Sequence, residues 1–378
     1  MLLFSQTTML SRMEYGLMMK YIRLWALLLG IFSVSLVAPI QAQMNTTACA
    51  DVVPNGVIPD ACMRLMQAFP APTVLPIPQD RFTIDYYDFW RVNNTQPPVF
   101  DAPGGNVIRN MPAGFNFINV VSVVDGWVQA ENGEWFRAED VQENEKLSYM
   151  SGVRILDGLE NRFAWILGTM FTVTEPGGRQ SRETGRLVQR YDLVNIFAET
   201  VDEDGWRWYM VGPNQWVEQR MVAKVFKIDR PEGVEGRWVA IDLYEQTLVA
   251  YENDTPVFAT LVATGIPGFD TREGIFTVWA RLDRDRMSGL TGAPNAWDLQ
   301  SVPFVMYFDE GRSLHGTYWH DNFGYRQSKG CVNLTISDAS YLYQWMRQTD
   351  LRDEDGNILN YVYVHSSGEY RTSGASTK

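Results

Sequence analysis

The chain has 378 residues, 46% of them apolar and 20% charged, which excludes wholesale disorder and collagen-like repeats. With 32 Lys and Arg against 45 Asp and Glu the net charge is −13, so the chain has no general attraction for nucleic acid or anionic lipid. Its aromatic load (13 Trp, 17 Tyr, 19 Phe), with 30 Gly and 18 Pro, favours short strands and tight turns, and 3 Cys are too few for a disulfide scaffold or a four-Cys zinc site.

Residues 1–42 read as a signal peptide. Lys20 and Arg23 precede the apolar run Leu24–Ala38, about 15 residues long, and Ala42 offers a small residue for cleavage. The run is shorter than the roughly 20 residues of a spanning helix. The expectation is an exported protein, extracellular or associated with the cell wall, with no spanning segment after processing; an uncleaved anchor is the rival reading. In an oxidising compartment Cys49 and Cys62 are expected to pair, leaving Cys331 as a distant odd thiol. Residues 43–84 combine a helix-compatible stretch, Ala61–Phe69, with a Pro-rich linker at Pro70–Pro78, and carry no functional motif.

Residues 85–143 and 162–226 share a pattern. The first contains Asp125-Gly126-Trp127 and then Gly133-Glu134-Trp135; the second contains Asp204-Gly205-Trp206 and then Asn214-Gln215-Trp216. Polar turns between short alternating runs predict small antiparallel barrels, with the paired Trp most simply read as their cores. On this pattern both segments resemble bacterial SH3-type domains, which implies wall binding or a spacer role.

From residue 237 the chain reads as strand after strand. Arg237–Leu243, Gln246–Tyr251 and Val257–Ala263 follow one another, with Asn253-Asp254 as a turn; Ile275–Trp279 and Val302–Phe308 come next. Ser337 is a fair cap for one helix, Asp338–Arg347, and Val362–His365 a closing strand. The expected fold is mainly β: two SH3-like barrels, then a β-sandwich or barrel-like catalytic domain with one or two helices.

Two of the three His and the odd Cys fall in one stretch, His315, His320 and Cys331. A thiol becomes a strong nucleophile as thiolate, which a nearby His can generate. Gly330 allows close approach of a carbonyl, and backbone N–H groups beside it can stabilise an oxyanion. The residues alone therefore point to an acyl-transfer site, with a buried inert Cys or a poorly spaced metal site as alternatives.

His315-Gly316, followed by Ser328-Lys329-Gly330-Cys331-Val332-Asn333, resembles the signature of the L,D-transpeptidases of the YkuD type over residues 236–366, leaving 367–378 as a tail. Gln246 and Thr271-Arg272-Glu273-Gly274 support the resemblance; Arg272 replaces the usual Pro and Lys329 the more frequent His. The resemblance implies Cys331 as nucleophile on the third-residue carbonyl of a peptidoglycan stem tetrapeptide, His315 as base then acid, and Gly316 orienting His315 through its carbonyl. It further implies oxyanion donors at Gly330 and Cys331, substrate contacts from Ser328, Lys329, Gly330, Asn333 and Tyr318, no metal or cofactor, and carbapenem inhibition. His320 and Asn333 are expected to be structural or substrate-positioning, and His365 an ordinary strand-end residue. The rivals are a papain-like wall peptidase, disfavoured because His315 precedes Cys331, and a non-enzymatic wall-binding protein.

Overall fold

Strand Arg237–Asp242 lies at the heart of the C-terminal half, and its neighbours explain its sequence. In this computed structural model, which describes residues 46–368 apart from 53, 55, 94, 145, 146, 291 and 294, five of its six residues are buried. It pairs antiparallel with Thr247–Glu252 and parallel with Tyr361–His365, so both faces are covered and Trp238-Val239-Ala240-Ile241 reads as a continuous apolar run. Thr255–Leu261 continues the sheet beyond Thr247–Glu252 across the expected turn, where Asn253 has φ 52°. Gly274–Thr277 closes the opposite edge. Gln246 stands in the turn before its strand rather than within it, with φ 56°, and its side chain clamps Leu243 O and the Thr264 backbone N–H at 2.8 Å each.

The second sheet carries the reactive motif. Long strand Trp297–Asp309 pairs with Ala280–Gly289 on one side and Arg312–Gly316 on the other, and the latter runs parallel to Val332–Leu334. Helix Ile336–Arg347 packs against these strands and completes a core of Ile241, Phe258, Met306, Leu314, Val332 and Leu342 between the sheets. Its cap is Thr335, whose hydroxyl accepts from Asp338 N–H at 3.1 Å, so the helix starts ahead of the expected Ser337.

The segments at 85–143 and 162–226 share a pairing plan. In the first, Asp88–Val92 pairs with Phe115–Val124 and Val141–Glu143, and hairpins lead on through Trp127–Ala130 to Trp135–Arg137. In the second, Phe163–Ile166 pairs with Leu193–Asn195 and Val222–Val225, and hairpins run from Ala198–Val201 through Arg207–Gly212 to Gln215–Glu218. Trp135 opposes Phe100 in one, and Trp216 opposes Val173 in the other. The expected barrels differ from what is found: among the described residues no sheet closes on itself. Trp216 is buried in a core, whereas Trp127, Trp135 and Trp206 are half-buried.

Pairing ties the N-terminal half to the motif-bearing half. Phe115-Asn116-Phe117 run parallel to Trp297-Asp298-Leu299, and Phe115 N–H donates to Ala296 O at 2.8 Å. Val74–Pro76 and Val153–Ile155 extend the seven-stranded sheet past Thr255–Leu261. The second segment packs Trp165 and Val225 against Trp238 and Tyr251. Cys49 and Cys62 form a disulfide beside Met66, Trp208 and Trp216. The proposed signal peptide at 1–42 and residues 369–378 of the tail lie outside the described residues.

Asp338 fastens these parts together. Its fully buried carboxylate accepts from Gly152 N–H and from Thr260 Oγ at 2.6 Å each, joining the helix to the inter-segment linker and the sheet. Burial pushes its pKa up to about 6, against these hydrogen bonds. In the unfolded chain the group titrates near ~3.9, so between those values the native state holds the extra proton and stability falls as pH rises. A shift of about two units corresponds to roughly 3 kcal/mol. Urea unfolding should show the stability difference between wild type and Asp338→Asn changing by about that amount from pH 4 to pH 6.5. Asp338→Ala, which orphans two buried donors, should lower stability by about 2–5 kcal/mol at every pH.

Candidate active site

Parallel pairing of Leu314 with Val332 and of His315 with Asn333 brings the two halves of the motif together. Cys331 stands one residue before the second strand, and both His315 and Cys331 line a pocket of about 240 Å³. Ser328, Lys329, Gln327 and Asn333 line its polar side; Phe115, Met287, Trp297, Leu299 and Trp319 form the apolar side. A larger hollow of about 510 Å³ lies elsewhere, between Glu131 and Asp283–Arg286. It contains no thiol or imidazole, and several of its charges are paired, as in Arg284–Glu131 at 2.6 Å.

His315 is buried, and its Nδ1 lies 3.1 Å from Gly316 O. A carbonyl only accepts, so Nδ1 carries the proton and Nε2 is left as the base. Burial pushes its pKa down to about 4, the Gly316 carbonyl pulling the other way, so the ring is neutral at pH 7. Gly316 itself sits where a Cβ would fall 2.9 Å from Pro303 Cγ, which excludes a larger residue without a shift of that ring.

The Cys331 sulfur lies 3.8 Å from Ser313 Oγ and 3.9 Å from Gly311 O. Burial pushes the thiol pKa up; Ser313 and the Arg312 guanidinium pull it down by less. The resting pair is therefore a thiol and a neutral imidazole. Arg312 also donates from Nε to Asp270 O at 3.1 Å and pairs with Asp309 at 3.2 Å, so its charge is held in place. Thr271 Oγ accepts from Gly265 N–H at 3.0 Å and donates to Gly330 O at 2.9 Å, fixing the loop before the nucleophile. Gly330 has φ 110°, a conformation that favours Gly.

The remaining motif residues have more specific duties than the sequence indicated. Gly330 N–H donates to Ser328 Oγ at 3.1 Å, so one of the two expected oxyanion donors is already engaged; Ser328 Oγ in turn donates to Cys331 O. Lys329 turns away to donate to Asn295 O, with its ammonium 4.2 Å from the Trp297 ring centroid, and desolvation lowers its pKa. The charge beside the Cys331 thiol that pulls its pKa down is that of Arg312. Asn322 N–H donates to His320 Nδ1 at 3.1 Å, and His320 Nε2 lies 2.9 Å from the Asn333 side-chain amide nitrogen, so His320 and Asn333 brace one another.

Tyr318 must be reassigned. It is fully buried, stacked on Phe89 at 3.7 Å, and its hydroxyl donates to Gln300 O at 2.7 Å, so it cannot touch a substrate. Its neighbour Trp319 lines the pocket instead, with its ring centroid 5.6 Å from that of His315. His365 lies on the closing strand, away from the pocket.

This C-terminal arrangement has known counterparts. Residues 236–359 match the YkuD family, the L,D-transpeptidase catalytic domain. That match takes in His315, Cys331 and every other motif residue. Similar solved structures include an L,D-transpeptidase from Mycobacterium smegmatis, at 18% identity and TM-score 0.31, covering 43% of this chain and 67% of that one. The catalytic domain of the E. faecium L,D-transpeptidase aligns at 21% identity and TM-score 0.29, covering 35% of this chain and 99% of that one. L,D-transpeptidase 3 from Mycobacterium tuberculosis, solved with a faropenem-derived adduct, aligns at 17% identity and TM-score 0.30, covering 47% and 75%. No curated protein matches the chain in sequence.

A neutral thiol and a neutral imidazole lining one pocket make a distinct prediction for this segment. Alkylation of Cys331, the one thiol outside the disulfide, should be slow at pH 7 and climb through pH 9 without a plateau. A pre-formed thiolate–imidazolium pair would instead give fast alkylation already near pH 6, so the pH profile of iodoacetamide labelling, followed by mass spectrometry, decides between them.

Proposed function

We propose that the L,D-transpeptidase domain forms 3→3 cross-links between peptidoglycan stem peptides. The observation that carries this reading is the shared pocket of Cys331 and His315, with the His315 tautomer fixed by Gly316 O so that Nε2 can act as base. As Sγ of Cys331 attacks the carbonyl of the L-centre of the third stem residue, Nε2 takes the thiol proton. The oxyanion is met by Cys331 N–H, since Gly330 N–H is engaged with Ser328. Collapse breaks the peptide bond, and imidazolium His315 protonates the departing D-Ala amine. An amine from a second stem then attacks the thioester and surrenders a proton through His315 to the sulfur; water in its place gives carboxypeptidase activity.

A neutral starting pair suits this sequence. Proton transfer is concerted with attack, and the low pKa of His315 keeps the base unprotonated at neutral pH. Ser328 shapes the nucleophile loop, and Lys329 holds that loop against Trp297. The reading extends to export to the cell wall, to SH3-like character for residues 85–143 and 162–226, and to carbapenem acylation of Cys331. It excludes a papain-like order of residues, because His315 comes first.

Incubation with a disaccharide-tetrapeptide, read by mass spectrometry, tests it. Wild type should yield a cross-linked dimer and free D-Ala. Loss of D-Ala without dimer would leave a carboxypeptidase, and no change would leave a wall-binding protein. Cys331→Ala and His315→Ala should each abolish turnover, because the pair acts as a unit. Lys329→Met should cost only about tenfold, roughly 1.4 kcal/mol of transition-state stabilisation, and leave the pH profile in place. A dead Lys329→Met beside an active His315→Ala would reverse these roles.

A further inference from the structure

Arg272 stands where the family signature usually has Pro, and its guanidinium is built into a charged cluster beside the nucleophile. Its Nε donates to Asp309 Oδ2 at 2.8 Å, its Nη2 donates to Asp309 Oδ1, and Glu310 lies 3.1 Å away. Asp309 is buried, and its Oδ2 also accepts from Arg312 Nη1 at 3.2 Å, so one carboxylate joins two guanidinium groups. A Pro at 272 would supply neither the charge nor the donors. Arg312 in turn lies along the nucleophile loop. Its Nε donates to Asp270 O at 3.1 Å and sits so close to Gly330 that a Cβ there would fall 3.1 Å from it. The Cys331 sulfur rests against the residues on either side of Arg312, 3.9 Å from Gly311 O and 3.8 Å from Ser313 Oγ. Asp309 and Arg312 oppose one another across the turn between two strands, whereas Arg272 reaches them from the segment leading into Gly274–Thr277 of the other sheet.

We propose that Arg272 is a positioning residue for the nucleophile: it neutralises Asp309 and Glu310, so that the Arg312 guanidinium acts on the Cys331 sulfur as an uncompensated positive charge. The inference rests on the transpeptidase reading above for its part in catalysis. The argument is one of charge balance. Arg272 and Arg312 together match Asp309 and Glu310, and the guanidinium of the pair that lies against the nucleophile loop is Arg312. Without Arg272, Arg312 alone faces both carboxylates, at 3.2 Å and 4.0 Å, and the cluster becomes negative beside a sulfur that must itself become negative. The charged groups on the neighbouring elements are already engaged. Asp270 pairs with Arg326 at 3.5 Å, Asp285 accepts from Tyr307 Oη at 2.7 Å, and Lys329 donates to Asn295 O. His315 is neutral at pH 7. Burial pushes the thiol up, and Arg312 is the charge that pulls it down. As Sγ attacks, the S–H bond breaks, the proton passes to His315 Nε2, and a carbon–sulfur bond forms; the charge that develops on sulfur meanwhile faces Arg312. Arg272 is exposed, so solvent screens part of its influence, and its removal should raise the thiol pKa by about half a unit to one unit.

Iodoacetamide labelling of Cys331 in the full chain, followed by mass spectrometry from pH 6 to pH 10, tests the assignment with Arg272→Met, Arg272→Lys, Arg312→Met and Asp309→Asn beside wild type. Circular dichroism checks that each variant is folded. Arg272→Met and Arg312→Met should each slow labelling at pH 8 about two- to fivefold, the loss of thiolate outweighing its higher nucleophilicity. Arg272→Lys should restore most of the wild-type rate. Asp309→Asn keeps the shape and removes a negative charge, so it should move the pH profile the opposite way and speed labelling. A cluster that served only to hold the turn would not give effects of opposite sign. The gap between wild type and Arg272→Met should shrink in 1 M salt. Superimposable pH profiles for wild type, Arg272→Met and Asp309→Asn would overturn the proposal, as would slower labelling in Asp309→Asn. With a disaccharide-tetrapeptide donor, kcat/KM for acylation should fall in Arg272→Met by a similar factor. A donor that never acylates wild type would overturn the transpeptidase reading, whereas opposite shifts in labelling would still support the charge relay.

Discussion

The parallel register between Arg312–Gly316 and Val332–Leu334 is the constraint on which the site depends. Side chains alternate across a strand, so a slip of one residue would send His315 to the opposite face and separate it from the pocket. Several interactions hold that register. Leu314, Val332 and Leu334 are sealed in the core under helix Ile336–Arg347, and Asn333 is tied to Ala263 by a reciprocal pair of backbone hydrogen bonds at 3.0 Å. Thr271 fastens the loop ahead of Cys331, and Asp338 fastens the helix to the rest of the fold. Much of this scaffold lies outside the pocket lining, yet each part limits the motion of His315 and Cys331.

Burial governs the chemistry that follows. Burial of His315 and the partial desolvation of the half-buried Cys331 disfavour the charged form of both. In the proposed reaction charge would develop as the thiol proton moves, where Arg312 and Ser313 already act on the sulfur. Preorganised donors are most effective in such a setting, because they need not reorient when the charge appears.

The local motif was largely legible in the sequence, because it depends on residues close along the chain. Asn253-Asp254 marked its hairpin, and His315, Gly316 and Cys331 marked the reactive strands. Elements set by distant partners were not legible. Phe115 reaches the pocket through a ladder with Trp297, and nothing in its own surroundings signals that pairing. Tyr318 and Trp319 are adjacent aromatics on one segment, and distant partners, Phe89, Phe117 and Gln300, accompany the burial of Tyr318. The resemblance gave Lys329 a substrate contact but no protein partner; its four-carbon stem carries the ammonium over Trp297. The helix cap moved from Ser337 to Thr335 because Ser337 Oγ is engaged with Gln79 Oε1 and Asp80 N–H, residues more than 250 positions away.

The shared ladder between Phe115-Asn116-Phe117 and Trp297-Asp298-Leu299 bears on how such a protein can change over generations. Domains strung on flexible linkers can be exchanged by recombination without disturbing one another. Here a breakpoint between residues 143 and 236 would deliver a catalytic half with an open strand edge and a pocket lacking one wall. An incoming partner would have to supply a strand of matching register and an aromatic residue opposite Trp297. The two halves are therefore bound to travel together, and new specificities would arise by substitution along their seam rather than by swapping parts.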